Sequence, residues 1–113
     1  MDKLKGIVLY DIQLDGNLNG VYINDHPLTN GEILTETARF IQGDGGFRGN
    51  GTMEFQCVWF DQVEGPISAS LTFDITNGVI QAQWVIDGET NPTFSGYGFQ
   101  MNERQIAISY WDV

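Results

Sequence analysis

The sequence predicts an all-β fold, an eight-stranded antiparallel up-and-down β-barrel. Three observations support this prediction. Apolar and polar residues alternate with period two, no stretch has a convincing helical period, and the connections are short and rich in glycine and asparagine. Short connections place sequence neighbours side by side, and closure into a barrel removes the exposed edges of such a meander. A two-sheet β-sandwich is the alternative.

The alternation is clearest around Asn77-Gly78, where two apolar runs flank a dipeptide that favours a tight hairpin turn. Before the turn, the apolar residues from Ile67 to Ile75 share one face, and after it Trp84 shares a face with other apolar residues. The same reasoning along the chain predicts strands at residues 3–14, 17–24, 31–41, 47–60, 65–76, 79–87, 92–101 and 104–112.

The length of 113 residues indicates a single domain, residues 1–113. No run of apolar residues approaches the length of a membrane-spanning helix, and no signal peptide is visible at the first residues. The single cysteine, Cys57, excludes an internal disulfide and suits a reducing compartment, so we expect a cytoplasmic protein.

The formal net charge of −10 excludes one class of partner and leaves another open. The five basic residues are scattered, whereas nucleic-acid binding requires clustered lysine and arginine. The acidic charge gives solubility, and it would also suit a basic protein partner, as for an inhibitor or an immunity protein.

Few residues indicate catalysis or metal binding. The only histidine, His26, lies in a polar loop before a proline, and Cys57 alternates with aromatic residues as a core residue would. Residues 15–20 match the opening of an EF-hand loop, but the twelfth position is His26 instead of glutamate. We therefore expect no metal, no cofactor and no catalytic residue.

The predicted third strand, residues 31–41, contains a carboxylate pair with no functional signal and an arginine with two interpretations. Glu32 and Glu36 are four residues apart on one strand face, but among fifteen acidic residues such a pair carries no weight. Arg39 would be an interior cation, suited to a carboxylate ligand, if its face points inward. If Leu34, Ala38 and Phe40 define the inner face, which is the favoured interpretation, Arg39 is exposed.

The tryptophans on inward-facing positions have two interpretations. Trp59 and Trp84 both lie on faces that the alternation predicts to be inward. They fill a core, or they form the walls of an apolar ligand pocket that includes a few polar groups.

Three segments share motifs with one family of ligand-binding barrels. They are Gly16-Asn-Leu18-Asn-Gly20-Val-Tyr22, Ile80-Gln-Ala-Gln-Trp84-Val-Ile86, and Gly51-Thr52 followed by Val58-Trp59. In this order they resemble strands of the avidin and streptavidin family, over about a quarter of the chain. The C-terminal strands are also similar to small bacterial proteins of no assigned function.

The resemblance implies an eight-stranded barrel of the calycin, avidin-like kind, with a small ligand at one mouth. It places Tyr22 and Trp84 at ligand-contacting positions, with Trp59 as a further pocket tryptophan and Asn102 near a ligand-binding aspartate of the family. The family's first strand, whose asparagine and serine contact the biotin ureido oxygen, has no counterpart at Gly6-Ile-Val-Leu9. Without those hydrogen-bonding partners, biotin itself is not the expected ligand.

The sequence therefore favours a non-catalytic binding module that holds a small, partly apolar ligand, with Tyr22, Trp59, Trp84 and Asn102 as the binding residues. An acidic protein-interaction module is the first alternative, and a small-barrel isomerase or cyclase is the second. A homo-oligomer is also considered, because Trp111 is expected to face outward.

Overall fold

The structure is a closed antiparallel barrel of eight strands. The computed structural model describes residues 4–29, 31–61 and 64–113. Its strands, in chain order, are β1 Lys5–Ile12, β2 Leu18–Asn24, β3 Leu34–Gly43, β4 Gly51–Asp61, β5 Gly65–Thr76, β6 Val79–Ile86, β7 Phe94–Asn102 and β8 Gln105–Asp112. Each strand pairs with its sequence neighbours, and β8 pairs with β1. The predicted barrel is confirmed, and the two-sheet sandwich is wrong.

The observed strands match the predicted ones, with shorter ends where loops form. A turn at residues 13–17 ends β1 early, because Gly16 has a φ of 88° and Asn17 is held by the carboxylate of Asp15. The short 3₁₀ turn Pro27–Thr29 delays the start of β3. No helix in the described part of the chain is long and apolar enough to cross a membrane.

The Asn77-Gly78 turn has the predicted conformation. Both residues have positive φ, 50° and 80°, as a type I′ hairpin turn requires. The flanking residues Thr76 and Val79 pair across the two strands, so the turn fixes the register of β5 and β6. Asn19-Gly20, by contrast, lies inside β2 and makes no turn.

The barrel seam joins the first and last strands over seven residue pairs, from Lys5 with Trp111 to Asp11 with Gln105. On the inner side of β8, Ile106, Ile108 and Tyr110 are buried, as predicted. Trp111 lies on the outer side and keeps 39% of its surface exposed. The last strand is therefore the one that closes the barrel.

The outer surface carries an apolar row across five adjacent strands. Cross-strand pairing aligns Val21 of β2, Leu9 of β1, Ala107 of β8, Phe99 of β7 and Val79 of β6. All of these except Ala107 are exposed. Exposed apolar residues are common on soluble proteins, and the homo-oligomer stays a prediction.

The inward face of β7 is made of glycine where the neighbouring strands present bulky residues. Gly96 and Gly98 are buried, while Tyr97 and Phe99 point outward. A Cβ atom at Gly98 would lie 1.9 Å from the carbonyl oxygen of Ala107, and one at Gly96 would lie 2.7 Å from Ile108. Glycine at these positions lets β7 and β8 approach closely and leaves interior space.

We predict that Gly98→Ala destabilises the protein by about 3 kcal/mol, because the new methyl group meets backbone that cannot move without breaking the β7–β8 ladder. Urea unfolding followed by circular dichroism measures the change. Gly46→Ala is the matched control, since nothing lies within 4 Å of a Cβ there, and it should change stability by less than about 0.5 kcal/mol. Equal stability of the two variants would contradict the close-approach argument.

Candidate functional site

A cavity of about 270 Å³ opens at one mouth of the barrel. This mouth is formed where odd-numbered strands begin and even-numbered strands end, together with the β2–β3 and β4–β5 connections. Strands and connections contribute apolar, aromatic and acidic side chains. The lining residues are Leu4, Val8, Tyr22, Asn24, His26, Thr29, Leu34, Glu36, Trp59, Phe60, Asp61, Glu64, Trp84, Phe94 and Tyr110.

The cavity reaches only part of the way into the barrel. On β1, Val8 lines it, whereas Tyr10, two residues further in, does not and is fully buried. On β3, Glu36 lines it, whereas Ala38 does not. Below this level, aromatic rings fill the interior, with centroids of neighbouring rings 5.2 to 6.3 Å apart, among Tyr10, Phe40, Phe47, Phe55 and Phe73. The barrel interior is thus packed at one end and open to a cavity at the other.

Aromatic rings from five strands form a connected wall around the cavity. The ring of Phe94 lies edge-on to Trp59 and to Tyr110, with centroids 5.8 Å apart in both pairs. Tyr110 in turn packs against Trp84 at 5.8 Å and against Tyr22 at 6.4 Å. These separations are those of favourable aromatic pairs. The wall is therefore held in place by its own packing.

Glu36 places a carboxyl group at the inner end of the cavity. Its position on β3 faces inward because it shares the parity of Leu34, Ala38 and Phe40. Only 7% of the residue is exposed. The Tyr10 hydroxyl donates a hydrogen bond to Oε2, and the Trp84 indole Nε1 donates another to the same oxygen at 3.3 Å.

The second oxygen of Glu36 is the one available to a ligand. Both hydrogen bonds within the described residues converge on Oε2, and none is made by Oε1. No buried, unpaired side-chain oxygen occurs in the described part of the chain, so Oε1 is open to the cavity that Glu36 lines. Because both partners donate to Oε2, the proton of a neutral Glu36 would reside on Oε1.

Burial raises the pKa of the Glu36 carboxyl from 4.5 to about 7. Desolvation disfavours the charged form, and the hydrogen bonds from Tyr10 and Trp84 offset only part of that effect. The group therefore changes its charge near neutral pH, and its two forms differ in what Oε1 can do. The neutral form donates a hydrogen bond into the cavity, and the ionised form presents a negative charge there.

The other titratable side chains around Glu36 stay neutral at that pH. Burial raises the pKa of Tyr10 and of Cys57 well above their ordinary values, and the nearby Glu36 charge raises both further. Burial likewise raises the pKa of Tyr22, and it raises the pKa of Tyr110 to about 12. Within the inner part of the cavity, Glu36 is thus the group that titrates near neutrality.

Polar groups surround the outer part of the cavity. Asn24 Nδ2 donates to the Tyr110 hydroxyl at 3.1 Å, and the Tyr22 hydroxyl donates to the Phe60 carbonyl at 3.4 Å. The carboxylates of Asp61 and Glu64 lie on the same rim. An apolar interior beneath a polar rim is typical of small-molecule sites.

The structure brings three of the four predicted binding residues together. Tyr22, Trp59 and Trp84 all line the cavity. Asn102 lies at the β7–β8 turn, at the opposite end of the barrel, where it bonds to Gln105 and to the backbone of Arg104. It is not among the cavity-lining residues, and we leave it out of the site. Arg39 is exposed on the outer face, as the favoured interpretation of β3 has it.

Sequence reasoning missed Glu36, Phe94 and Asn24 as site residues, and it treated Tyr110 as a core residue only. A signal for Glu36 was present, because an acidic residue shared the parity of three apolar ones. The predicted inner face of β3 therefore already contained a carboxyl group. Phe94 and Asn24 gave no such signal, since they reach the cavity only through the shape of the mouth.

The chain matches no protein-family model, and neither the curated proteins nor the solved structures include a significant match to it. The closed eight-stranded barrel is compatible with a calycin-like fold, but it assigns no family.

We predict that Glu36→Gln makes the protein more stable above pH 7. The folded-state pKa is raised from 4.5 to about 7, so the folded state favours protonated Glu36. This contribution is complete below pH 4.5 and is lost as the pH rises through 7, a difference of roughly 3 kcal/mol. The neutral glutamine can accept the same two hydrogen bonds and does not suffer this loss.

The measurement is the difference in unfolding free energy between wild type and Glu36→Gln from pH 4.5 to pH 8, by urea unfolding. Glu103→Gln, in the exposed β7–β8 turn, removes the same unit of charge away from the cavity and should give no such difference. A difference between wild type and Glu36→Gln that stays constant with pH would show that Glu36 has an ordinary pKa.

Proposed function

We propose that the protein binds a small, partly apolar molecule in the mouth cavity of its barrel. The observation that carries the proposal is a preformed cavity whose aromatic wall surrounds one buried carboxyl group. Such sites combine apolar contact area with a few polar groups that orient the ligand. The volume of about 270 Å³ favours a ligand of metabolite size over a long lipid chain.

The location of the tryptophans supports a direct test of this function. Trp59 and Trp84 line the cavity, whereas Trp111 lies on the outer face of β8. A ligand in the cavity is therefore expected to change the fluorescence of the first two and not of the third. A panel of small metabolites and fatty acids can be titrated with this signal.

We predict that Trp59→Leu weakens the binding of any panel member that quenches the wild type, by roughly three- to tenfold, because one aromatic wall is lost. Trp111→Leu is the matched control and should leave affinity unchanged. Trp84 remains as the reporter in both variants. Quenching that Trp111→Leu removes and Trp59→Leu preserves would place the ligand outside the barrel and refute the proposal.

A second candidate function is the isomerase or cyclase considered from the sequence. The observation that favours it is Glu36, since a buried carboxyl with a pKa near 7 is suited to general acid–base catalysis. Its ionised Oε1 would take a proton from a carbon next to a ligand carbonyl and would return a proton to the resulting enolate.

For this candidate we predict deuterium incorporation from D₂O into small aromatic ketones, faster than in buffer by at least roughly a hundredfold. Proton NMR follows the loss of the C–H signal. Glu36→Gln should abolish the exchange, and Glu103→Gln should preserve it. Exchange at the buffer rate in the wild type would count against the enzyme and leave binding as the function.

The basic protein partner stays a prediction based on net charge.

A further inference from the structure

The charged groups that line the cavity are mostly of one sign. Its lining includes three carboxyl groups, those of Glu36, Asp61 and Glu64, and neither lysine nor arginine occurs among the described lining residues. The described lining also includes His26, on the rim. A pocket of this composition repels a carboxylate or phosphate ligand and concentrates cations.

The aromatic wall favours the same kind of ligand. The faces of aromatic rings carry partial negative charge and attract organic cations, most strongly when the site excludes water. Trp59, Trp84, Phe94 and Tyr110 are linked through ring contacts with centroid separations of 5.8 Å, which fixes them around a shared space. A ligand in that space contacts several rings at once.

Glu36 distinguishes a cationic ligand from an apolar one. A purely apolar ligand gains nothing from a carboxyl oxygen beside it, whereas an ammonium group gains a charge-assisted hydrogen bond. Oε1 is open to the cavity, whereas Oε2 is held by Tyr10 and Trp84. The carboxyl group is thus fixed in orientation, and Oε1 is the oxygen that a ligand in the cavity could reach.

We propose that the ligand of this cavity is a small organic cation, an ammonium group on an apolar body, held between Glu36 Oε1 and the aromatic wall. This inference rests on the proposed binding function and names the ligand class for it. The ammonium group lies against Oε1 and the ring faces, and the apolar body fills the remaining space toward the mouth.

Binding of a cation competes with binding of a proton to Glu36. The titratable groups that face Glu36 are Tyr10 on β1, Tyr22 on β2, Cys57 on β4 and Tyr110 on β8, and burial keeps all four neutral near pH 7. At the mouth lie His26, Asp61 and Glu64. Because Glu36 has a pKa of about 7, affinity for a permanent cation should fall as the pH decreases below 7.

The first experiment compares three probes of similar shape and different charge: phenethylamine, phenethyl alcohol and hydrocinnamate. Tryptophan fluorescence at pH 8 gives their affinities. We expect the ammonium to bind at least roughly tenfold more tightly than the alcohol, because it gains the ion pair and the cation–π contacts. Hydrocinnamate should bind most weakly of the three.

The Glu36→Gln variant tests the role of the carboxylate. It should reduce the affinity for phenethylamine to about that for phenethyl alcohol, with little change for the alcohol itself. Glu103→Gln removes the same unit of charge at the opposite end of the barrel and should preserve the wild-type preference. A preference that disappears in both variants would mean that net charge alone attracts the amine, and the proposal would be wrong.

A second measurement does not depend on any variant. Benzyltrimethylammonium carries a permanent charge, so any pH dependence of its binding comes from the protein. In the wild type its affinity should fall by a factor approaching ten per pH unit below pH 7. In Glu36→Gln this dependence should be lost. A flat wild-type profile would overturn the proposal.

The failure of this inference is distinguishable from the failure of the binding function. If phenethyl alcohol or hydrocinnamate binds as tightly as phenethylamine, the cavity is a binding site and the cationic ligand class is wrong. If no probe binds and the metabolite and fatty-acid panel also gives no quenching, both the ligand class and the binding function are refuted.

Discussion

Closure of the barrel by β1 and β8 is the constraint on which the rest of the structure depends. A closed sheet has no free edge, so every inward side chain of eight strands must share one interior of fixed width. Large aromatic residues fill the half near the β7–β8 turn, and the two inward glycines of β7 make room for their neighbours. The cavity is the part of this interior that the side chains leave open.

Within that interior, Glu36 is a carboxyl group on a strand face where the other inward residues of β3 are apolar. A carboxyl group here loses most of its hydration, and two donors on one oxygen restore only part of what is lost. The raised pKa of Glu36 reflects the hydration that these two hydrogen bonds do not replace. Positions where a sequence departs from its own pattern in this way are typical of functional sites, because selection for stability alone would remove them.

The fold could be predicted from the sequence because its signal is repeated in every strand. Alternation predicted which residues face inward, and Asn77-Gly78 predicted the turn that sets the register of β5 and β6. The same alternation placed Trp59 and Trp84 inside, the family resemblance added Tyr22, and all three line the cavity. The boundary between cavity and core could not be predicted, since it depends on how rings such as Phe55 and Phe73 pack in three dimensions.

The direction of each strand determines at which mouth of the barrel its terminal residues lie, which the alternation of residues does not reveal. In an up-and-down barrel, even-numbered strands end at the mouth where odd-numbered strands begin. Trp59 and Trp84 lie near the ends of β4 and β6, so they belong to one mouth. Asn102 ends β7 and belongs to the other mouth. Topology therefore separates Asn102 from the tryptophans. Its inclusion among the predicted binding residues came from the family resemblance and not from strand direction.

The features that make Glu36 unfavourable in the empty barrel would favour a bound cation. An empty cavity leaves the ionised carboxylate short of hydration, and this deficit is largest above pH 7, where the proton is lost. An ammonium group at Oε1 would replace that proton as the neutralising charge, and the ring faces would contact its remaining surface. The same deficit that lowers the stability of the unliganded protein would thereby strengthen binding. Pocket and fold are in this way coupled through a single side chain.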